Sequence, residues 1–275
     1  MTPVLSVVIP VYNAARTITR CIDSVIADLD STPYSWELLL VDDGAEDDSL
    51  KIMQDYLSGS CHREQIRIIE QPNRGAAAAR NAGIRGSSGQ YVAFNDSDDI
   101  WLPGKTRGQM QYLLSHPEVD MICGAHEVPF KPYFKKLSRY TRITVKDIAL
   151  QNFCSPQTTI IKRSILSRTG LFDETMRMGA EEGSLFHAIT YHGCCILRND
   201  VVSKSAIQKR RWGESGLTGN IWRMERGKQY NFRQSYRKGY LSLGYLMICS
   251  FFSYLKYLRR LLAKQLFRLK SFLSK

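Results

Sequence analysis

Three apolar runs of strand length, "VLSVVIP" (Val4 to Pro10), "WELLLV" (Trp36 to Val41) and "YVAFND" (Tyr91 to Asp96), each end at polar residues, and helical periodicity separates them. Apolar runs without alternation read as strands buried on both faces. After the first, Ile18, Cys21, Ile22, Val25, Ile26 and Leu29 recur at spacings of three and four, one face of a helix over Arg16 to Leu29. After the second, "DDGAEDD" is rich in capping residues and predicts a helix over Ser49 to Leu57. "IRIIEQP" then reads as a strand and "AAAARNAGI" as a short helix. Such alternation predicts an α/β fold, a mostly parallel sheet flanked by helices, with ligands beyond the carboxyl ends of the strands. The polar ends "PVYN", "DDG" and "NDSDD" then fall on one rim.

Past Asp99 the pattern predicts a helix over Thr106 to Leu114, a strand over Val119 to Cys123 and another over Thr158 to Lys162, and a helix over Glu182 to His192. Val128 to Arg142 reads as a basic, aromatic loop long enough to be functional.

Charge divides the chain. The net charge of +12 is uneven: residues 1–203 carry 21 Lys/Arg against 24 Asp/Glu, and residues 204–275 carry 17 against 2. The expected organisation is a catalytic body, 1–203, and a basic, partly amphipathic helical C-terminal region, 204–275. In that region 17 uncharged residues, "GYLSLGYLMICSFFSYL", sit at the lower edge of a membrane span and are broken by glycine and serine. Lys256, Arg260, Lys264 and Arg268 then alternate with Leu258, Leu262, Leu266, Leu269 and Leu273, so that cations and leucines face opposite ways. That is the pattern of a helix on an anionic membrane surface. The competing reading is a core-packing helix with a solvated basic face. A nucleic-acid arm needs no leucine stripe, so no nucleic acid is expected. The seven cysteines form no C-x-x-C pair and read as reduced, buried thiols. The N-terminus has neither a basic n-region nor a cleavage site, which points to the cytoplasm.

Three aspartates within "DSDD" repel one another unless a positive charge lies between them. A D-x-D at a strand end suits a hard divalent cation through carboxylate oxygens, so Asp96 and Asp98 are candidates for Mg²⁺ or Mn²⁺, with a solvated turn as the alternative. On this reading the positive charge arrives with the substrate, and Asp99 caps the following turn. Asp42 and Asp43 either cap a helix or accept hydrogen bonds from a nucleotide. "PGKT" lacks the earlier glycine of a P-loop, and no G-x-G-x-x-G occurs, so a glycine-cradled ATP site is unsupported.

The segments "SVVIPVYNAARTITRCIDSV", "ELLLVDDGAEDDS", "NRGAAAARNAGIRGSSGQYVAFNDSDDIWLP", "GLFDE" and "GAEEGSLF", in this order over residues 4–195, resemble the family 2 glycosyltransferases with a GT-A, Rossmann-like fold. The resemblance implies inverting transfer of a sugar from a nucleotide diphosphate donor, usually UDP-linked, assisted by Mg²⁺ or Mn²⁺. It places Pro10 and Tyr12 in the nucleotide pocket, Asp43, with or without Asp42, on uracil, and Arg74 or Arg80 near the base or diphosphate. It puts Asp96 at the ribose or the water shell of the metal, and Asp98 on the metal itself. The family pattern at the general base is typically Glu-Asp; here it is Glu181-Glu182, with Glu182 the candidate by position. Both could instead complement a helix N-terminus. The expected acceptor is a hydroxyl of a glycan or lipid-linked glycan in bacterial surface polysaccharide synthesis, reached by an enzyme peripheral on the inner membrane face. "QKRRW" (Gln208 to Trp212) is similar to the Q-x-x-R-W of processive synthases, but the several membrane helices of those enzymes are missing from the pattern. A sugar-nucleotide pyrophosphorylase is disfavoured, since no glycine-rich basic loop follows the first strand. The other rivals are a processive polysaccharide synthase and a catalytically inactive nucleotide-sugar-binding or membrane scaffold protein.

Overall fold

The structure, a computed structural model, describes residues 3–131, 136–176, 179–206 and 220–273, the stretch 266–273 as backbone only. The basic stretch Gln208 to Trp212 lies outside the described residues.

The N-terminal half follows the predicted alternation: β1 (Leu5–Val11), α1 (Ile18–Asp30), β2 (Trp36–Asp42), α2 (Ser49–Gly59), β3 (Ile66–Glu70), α3 (Ala76–Gly86) and β4 (Tyr91–Phe94). Then come β5 (Asp99–Trp101), α4 (Lys105–Ser115), β6 (Met121–His126), β7 (Tyr140–Ile143), α5 (Val145–Leu150), β8 (Ile160–Lys162), α6 (Arg163–Thr169), α7 (Glu182–His192), β9 (Cys195–Ser205), α8 (Ile221–Arg237) and α9 (Leu243–Leu273). The sheet runs β3-β2-β1-β4-β8-β6-β9-β5, with β7 also on β9. β1 to β4 are parallel, and β6 pairs parallel with β9, while β5, β7 and β8 run against their neighbours. The sheet is therefore parallel through its first half and mixed beyond β4. The expected loop over Val128 to Arg142 ends in β7.

Two cores sandwich the sheet. Leu5, Val7, Ile9 and Val11 of β1 meet Ile18, Ile22 and Val25 of α1 on one face. Val8 faces the other way, where α3 crosses so closely that a Cβ on Gly83 would overlap the Val8 side chain. That tight crossing sets α3, and with it Arg80, against the end of β4. A third, small core of Val145, Ala149, Phe232, Leu241 and Cys249 seats α8 and α9 on α5.

Candidate active site

The carboxyl ends of β1, β2 and β4 meet on one rim, as the pattern of polar strand ends predicts. Asp43 follows β2, and its buried carboxylate is a brace: Oδ1 accepts from Gln71 Nε2 (2.7 Å) and from the Arg74 amide (2.8 Å), and Oδ2 accepts from the Gly75 amide (2.8 Å). Three charge-assisted bonds hold the "QPNRG" turn against the rim. Gly44 has φ +69°, and a Cβ there would collide with the Asn73 amide, so this turn requires glycine. Asp42 is also buried; burial raises its carboxyl above the ordinary range, although the Ala45 amide donates to it at 3.3 Å. Across the rim Asn13 Oδ1 accepts from the Glu46 amide (2.8 Å), Pro10 is half-buried and the Tyr12 ring is 45% exposed.

The D-x-D lies between β4 and β5. Asp96 Oδ1 accepts from Arg80 Nη2 at 2.7 Å, and that guanidinium is buried over the Phe172 ring, 5.5 Å from its centroid. Burial alone would weaken the charge, but Asp96, Glu181 and Glu182 around it outweigh burial and hold Arg80 above its ordinary value. The protein thus supplies part of the counter-charge expected from the substrate alone. The Asp98 carbonyl accepts from the Ala206 amide (2.8 Å), which ties the D-x-D to the end of β9. Asp99, expected to cap the turn, lies in β5, buried, with Oδ1 3.9 Å from His126 Nε2.

The glutamate pair enters from the far end of the chain. α7 begins at Glu182, where the helical periodicity predicts it, after Gly179 and Ala180, both left-handed (φ +81° and +64°). A left-handed alanine is strained, so neighbours must hold it. α8 does so: Asn231 Nδ2 donates to the Ala180 carbonyl (2.7 Å), and Gly227 packs on the Gly179 carbonyl where a Cβ would overlap. Glu181 is buried, and the carboxyl of half-buried Glu182 is pushed up to about 7, first by burial and then by Glu181; Arg80 pulls it the other way. A carboxyl titrating near neutrality is suited to proton abstraction.

Of the two arginines expected near the nucleotide, only Arg80 reaches the D-x-D. Arg74 Nη2 donates to Glu174 Oε2 (2.6 Å), and Glu174 also accepts from Asn81 Nδ2 (2.9 Å) and Arg85 Nη2 (3.3 Å). Glu174 closes the "GLFDE" segment, whose motif gave no hint of this role; nor did the residues of α8 that hold the 179–183 loop.

The described part of α9 shows which of its two faces meets the protein. Lys256 Nζ donates to the Leu150 carbonyl (2.7 Å) and turns inward, while Met247 (62% exposed), Phe251, Tyr254, Leu255, Leu258 and Leu262 form an outward apolar stripe. Among the described residues Lys256 faces the protein while Leu258 and Leu262 face away from it, which is against the core-packing reading.

A model of the family described as "Glycosyl transferase family 2" matches residues 6–170, more than half of the chain. The chain belongs to that family. It is 35% identical over 126 residues to an Escherichia coli protein named UDP-Glc:alpha-D-GlcNAc-diphosphoundecaprenol beta-1,3-glucosyltransferase WfgD, over 45% of this chain and 46% of WfgD. The match spans between 17% and 55% of the length of the curated relatives. Staphylococcus aureus TarS, solved with UDP-GlcNAc, superposes with a TM-score of 0.64 at 18% identity, over 86% of this chain and 67% of that one. The mannosyltransferase PcManGT of Pyrobaculum calidifontis, solved with GDP-Man and Mn²⁺, gives 0.64 at 20% identity, over 86% and 65%. The GT-A fold expected from the motifs is the fold of this chain. Among the described residues no three His, Cys, Asp or Glu side chains converge on a metal position, and no helix is long and apolar enough to cross a membrane.

Proposed function

We propose that this family 2 glycosyltransferase transfers a sugar, with inversion, from a UDP-sugar to a hydroxyl of a glycan or lipid-linked glycan in bacterial surface polysaccharide synthesis. The observation that carries the reading is buried Arg80, which donates to the D-x-D aspartate Asp96 at 2.7 Å and lies in the field of the Glu181-Glu182 pair at the start of α7. The nucleotide lies along the rim between Pro10, Tyr12, Asp42, Asp43 and the Arg74 turn, and its diphosphate approaches Asp96 and Asp98. The acceptor hydroxyl attacks the anomeric carbon, its proton passes to Glu182, and the bond to the nucleotide diphosphate breaks with its electron pair on the leaving phosphate oxygen. Arg80 holds Asp96 in place and tempers the repulsion among Asp96, Glu181 and Glu182.

Two carboxylates, Asp96 and Asp98, make an incomplete donor set that suits Mg²⁺ or Mn²⁺ completed by phosphate oxygens. Asp98 would hold the ion, with Asp96 at its water shell, and the ion would supply positive charge to the leaving diphosphate. The outward stripe of α9 supports peripheral attachment to the inner face of the cell membrane, since a lipid surface takes up exposed Phe251, Leu255, Leu258 and Leu262. Attachment raises the effective concentration of a lipid-linked acceptor. The test is a panel of nucleotide sugars with Mn²⁺, read for donor hydrolysis and transfer to lipid acceptors. Turnover of a UDP-sugar is expected, and the absence of both turnover and binding across the panel would overturn the reading.

A further inference from the structure

A cavity of about 500 Å³ lies between α5, α7, α8 and α9. Glu182 is in its wall; Asp43, Asp96 and Asp98 are not among its described lining residues. Among its described lining residues are four cations, Lys228, Lys256, Arg259 and Arg260, and one carboxyl, Glu182.

The helices leave the cations little choice of direction. On α8, Gly227 and Asn231 are held to the 179–183 loop, which sets Lys228 between them at the cavity wall. On α9, Cys249, Ser253, Lys256 and Arg260 follow at helical spacing along the inward face, the first two buried. Glu225 locks the two helices in register: Oε1 accepts from Gln229 Nε2 (2.7 Å) and Oε2 from Ser253 Oγ (2.8 Å), so both of its oxygens are engaged. Lys228 is pulled down to about 8, first by burial and then by Arg260, and Lys256 is lowered by the same two causes. Cations gathered at a cavity disfavour one another's charge, and an anion placed among them is favoured.

We propose that this cavity is the acceptor subsite, and that Lys228, Lys256, Arg259 and Arg260 bind a phosphate or diphosphate ester carried by the acceptor sugar, whose hydroxyl is thereby presented to Glu182. The assignment rests on the reading of Glu182 as the base. The outward face of the same helix argues for an ester joined to an apolar chain: the stripe through Phe251, Leu255 and Leu258 puts a lipid-seeking surface beside a cation-lined mouth. An acidic glycan without a lipid would use the cations and leave the stripe idle. The chemistry recognised is therefore a lipid-linked glycosyl phosphate or diphosphate.

Calorimetric titration of the full chain tests this with decyl diphosphate as the probe, decyl maltoside as the tail control, and UDP with Mn²⁺ as a separate ligand. Decyl diphosphate should bind saturably, and decyl maltoside should not. Lys228→Gln and Arg259→Gln should each weaken the probe about tenfold, the worth of one charge-assisted contact, and leave UDP affinity within about twofold. Arg259 is exposed, so its variant keeps the fold even if Lys228→Gln melts early. Equal binding of the two decyl probes, or variants without effect, would overturn the subsite. Parallel loss of UDP affinity would reassign the cations to the donor, and full competition by phosphatidylglycerol vesicles would reassign them to bulk lipid; either overturns the proposal. If the wild-type chain binds decyl diphosphate but no nucleotide, the transferase reading fails while the anion site stands, so the two failures are distinguishable.

Discussion

The pH dependence of transfer should report Glu182 directly. Its carboxyl sits at about 7 against an ordinary 4.5. At about 1.4 kcal/mol per pH unit, the site makes ionisation harder by about 3 kcal/mol. A base must be ionised to accept a proton, so kcat/KM should rise about tenfold per pH unit up to roughly 6 and level off above roughly 8. Glu181→Gln removes the second largest cause of the elevation, so the acidic limb should move to lower pH while activity at pH 8 persists. Glu182→Gln should bind donor and transfer nothing. The same elevation has a stability consequence. A native state that holds the Glu182 proton more tightly than the unfolded chain gains stability below about 4.5 and loses it as pH rises through about 7. Glu182→Gln, which mimics the protonated form, should therefore raise Tm at pH 8, by up to about 3 kcal/mol in unfolding free energy, and bring little at pH 4. A flat profile from pH 5 to 8, or loss of transfer in Glu181→Gln with Glu182→Gln active, would refute this reasoning.

Asp98→Asn should abolish Mn²⁺-dependent nucleotide binding in calorimetry without altering the circular dichroism spectrum; unchanged metal dependence would remove Asp98 from the cation. Gly227→Val should press on the Gly179 carbonyl, destabilise by about 1–3 kcal/mol as other overpacked sites do, and lower kcat while nucleotide affinity holds. Full transfer in a folded Gly227→Val variant would show that α8 does not position the glutamate loop. The triple change Phe251→Glu, Leu255→Glu and Leu258→Glu should release the protein from anionic vesicles in a flotation assay, and retention would refute the outward stripe as the membrane contact.

The alternating architecture was legible because β1, β2 and β4 are buried on both faces and carry unbroken apolar runs, and because α1 repeats every three to four residues. The start of α7 at Glu182 was legible for a related reason, since two acidic residues precede an apolar stretch of helix length. Less visible were contacts made only by the closed sheet. Arg80 and Asp96 are 16 positions apart, and nothing local to α3 shows that its arginine will reach the end of β4. Asp43 carries a second contact of this kind: a carboxylate after a strand suggests a ligand group, and only the folded chain shows that it also accepts three hydrogen bonds from the turn that follows. The orientation of α9 has a clear physical cause. An amphipathic pattern separates two faces without saying which one meets the protein, and here the neighbouring surface offers the Leu150 carbonyl and a cavity to the cations. The crossings of β5, β7 and β8 against the parallel strands were hidden because strands of three or four residues carry almost no periodicity.

The central claim is direct displacement at the anomeric carbon, with one carboxyl, Glu182, taking the acceptor proton. It is tested most directly by the anomeric configuration of the product, read from the proton coupling constant in an NMR spectrum taken during turnover of an α-linked UDP-sugar. The wild-type chain should give a β-linked product and free UDP in equal amounts, and Glu182→Gln neither. An α-linked product, or β-linked product still formed by Glu182→Gln, would contradict it.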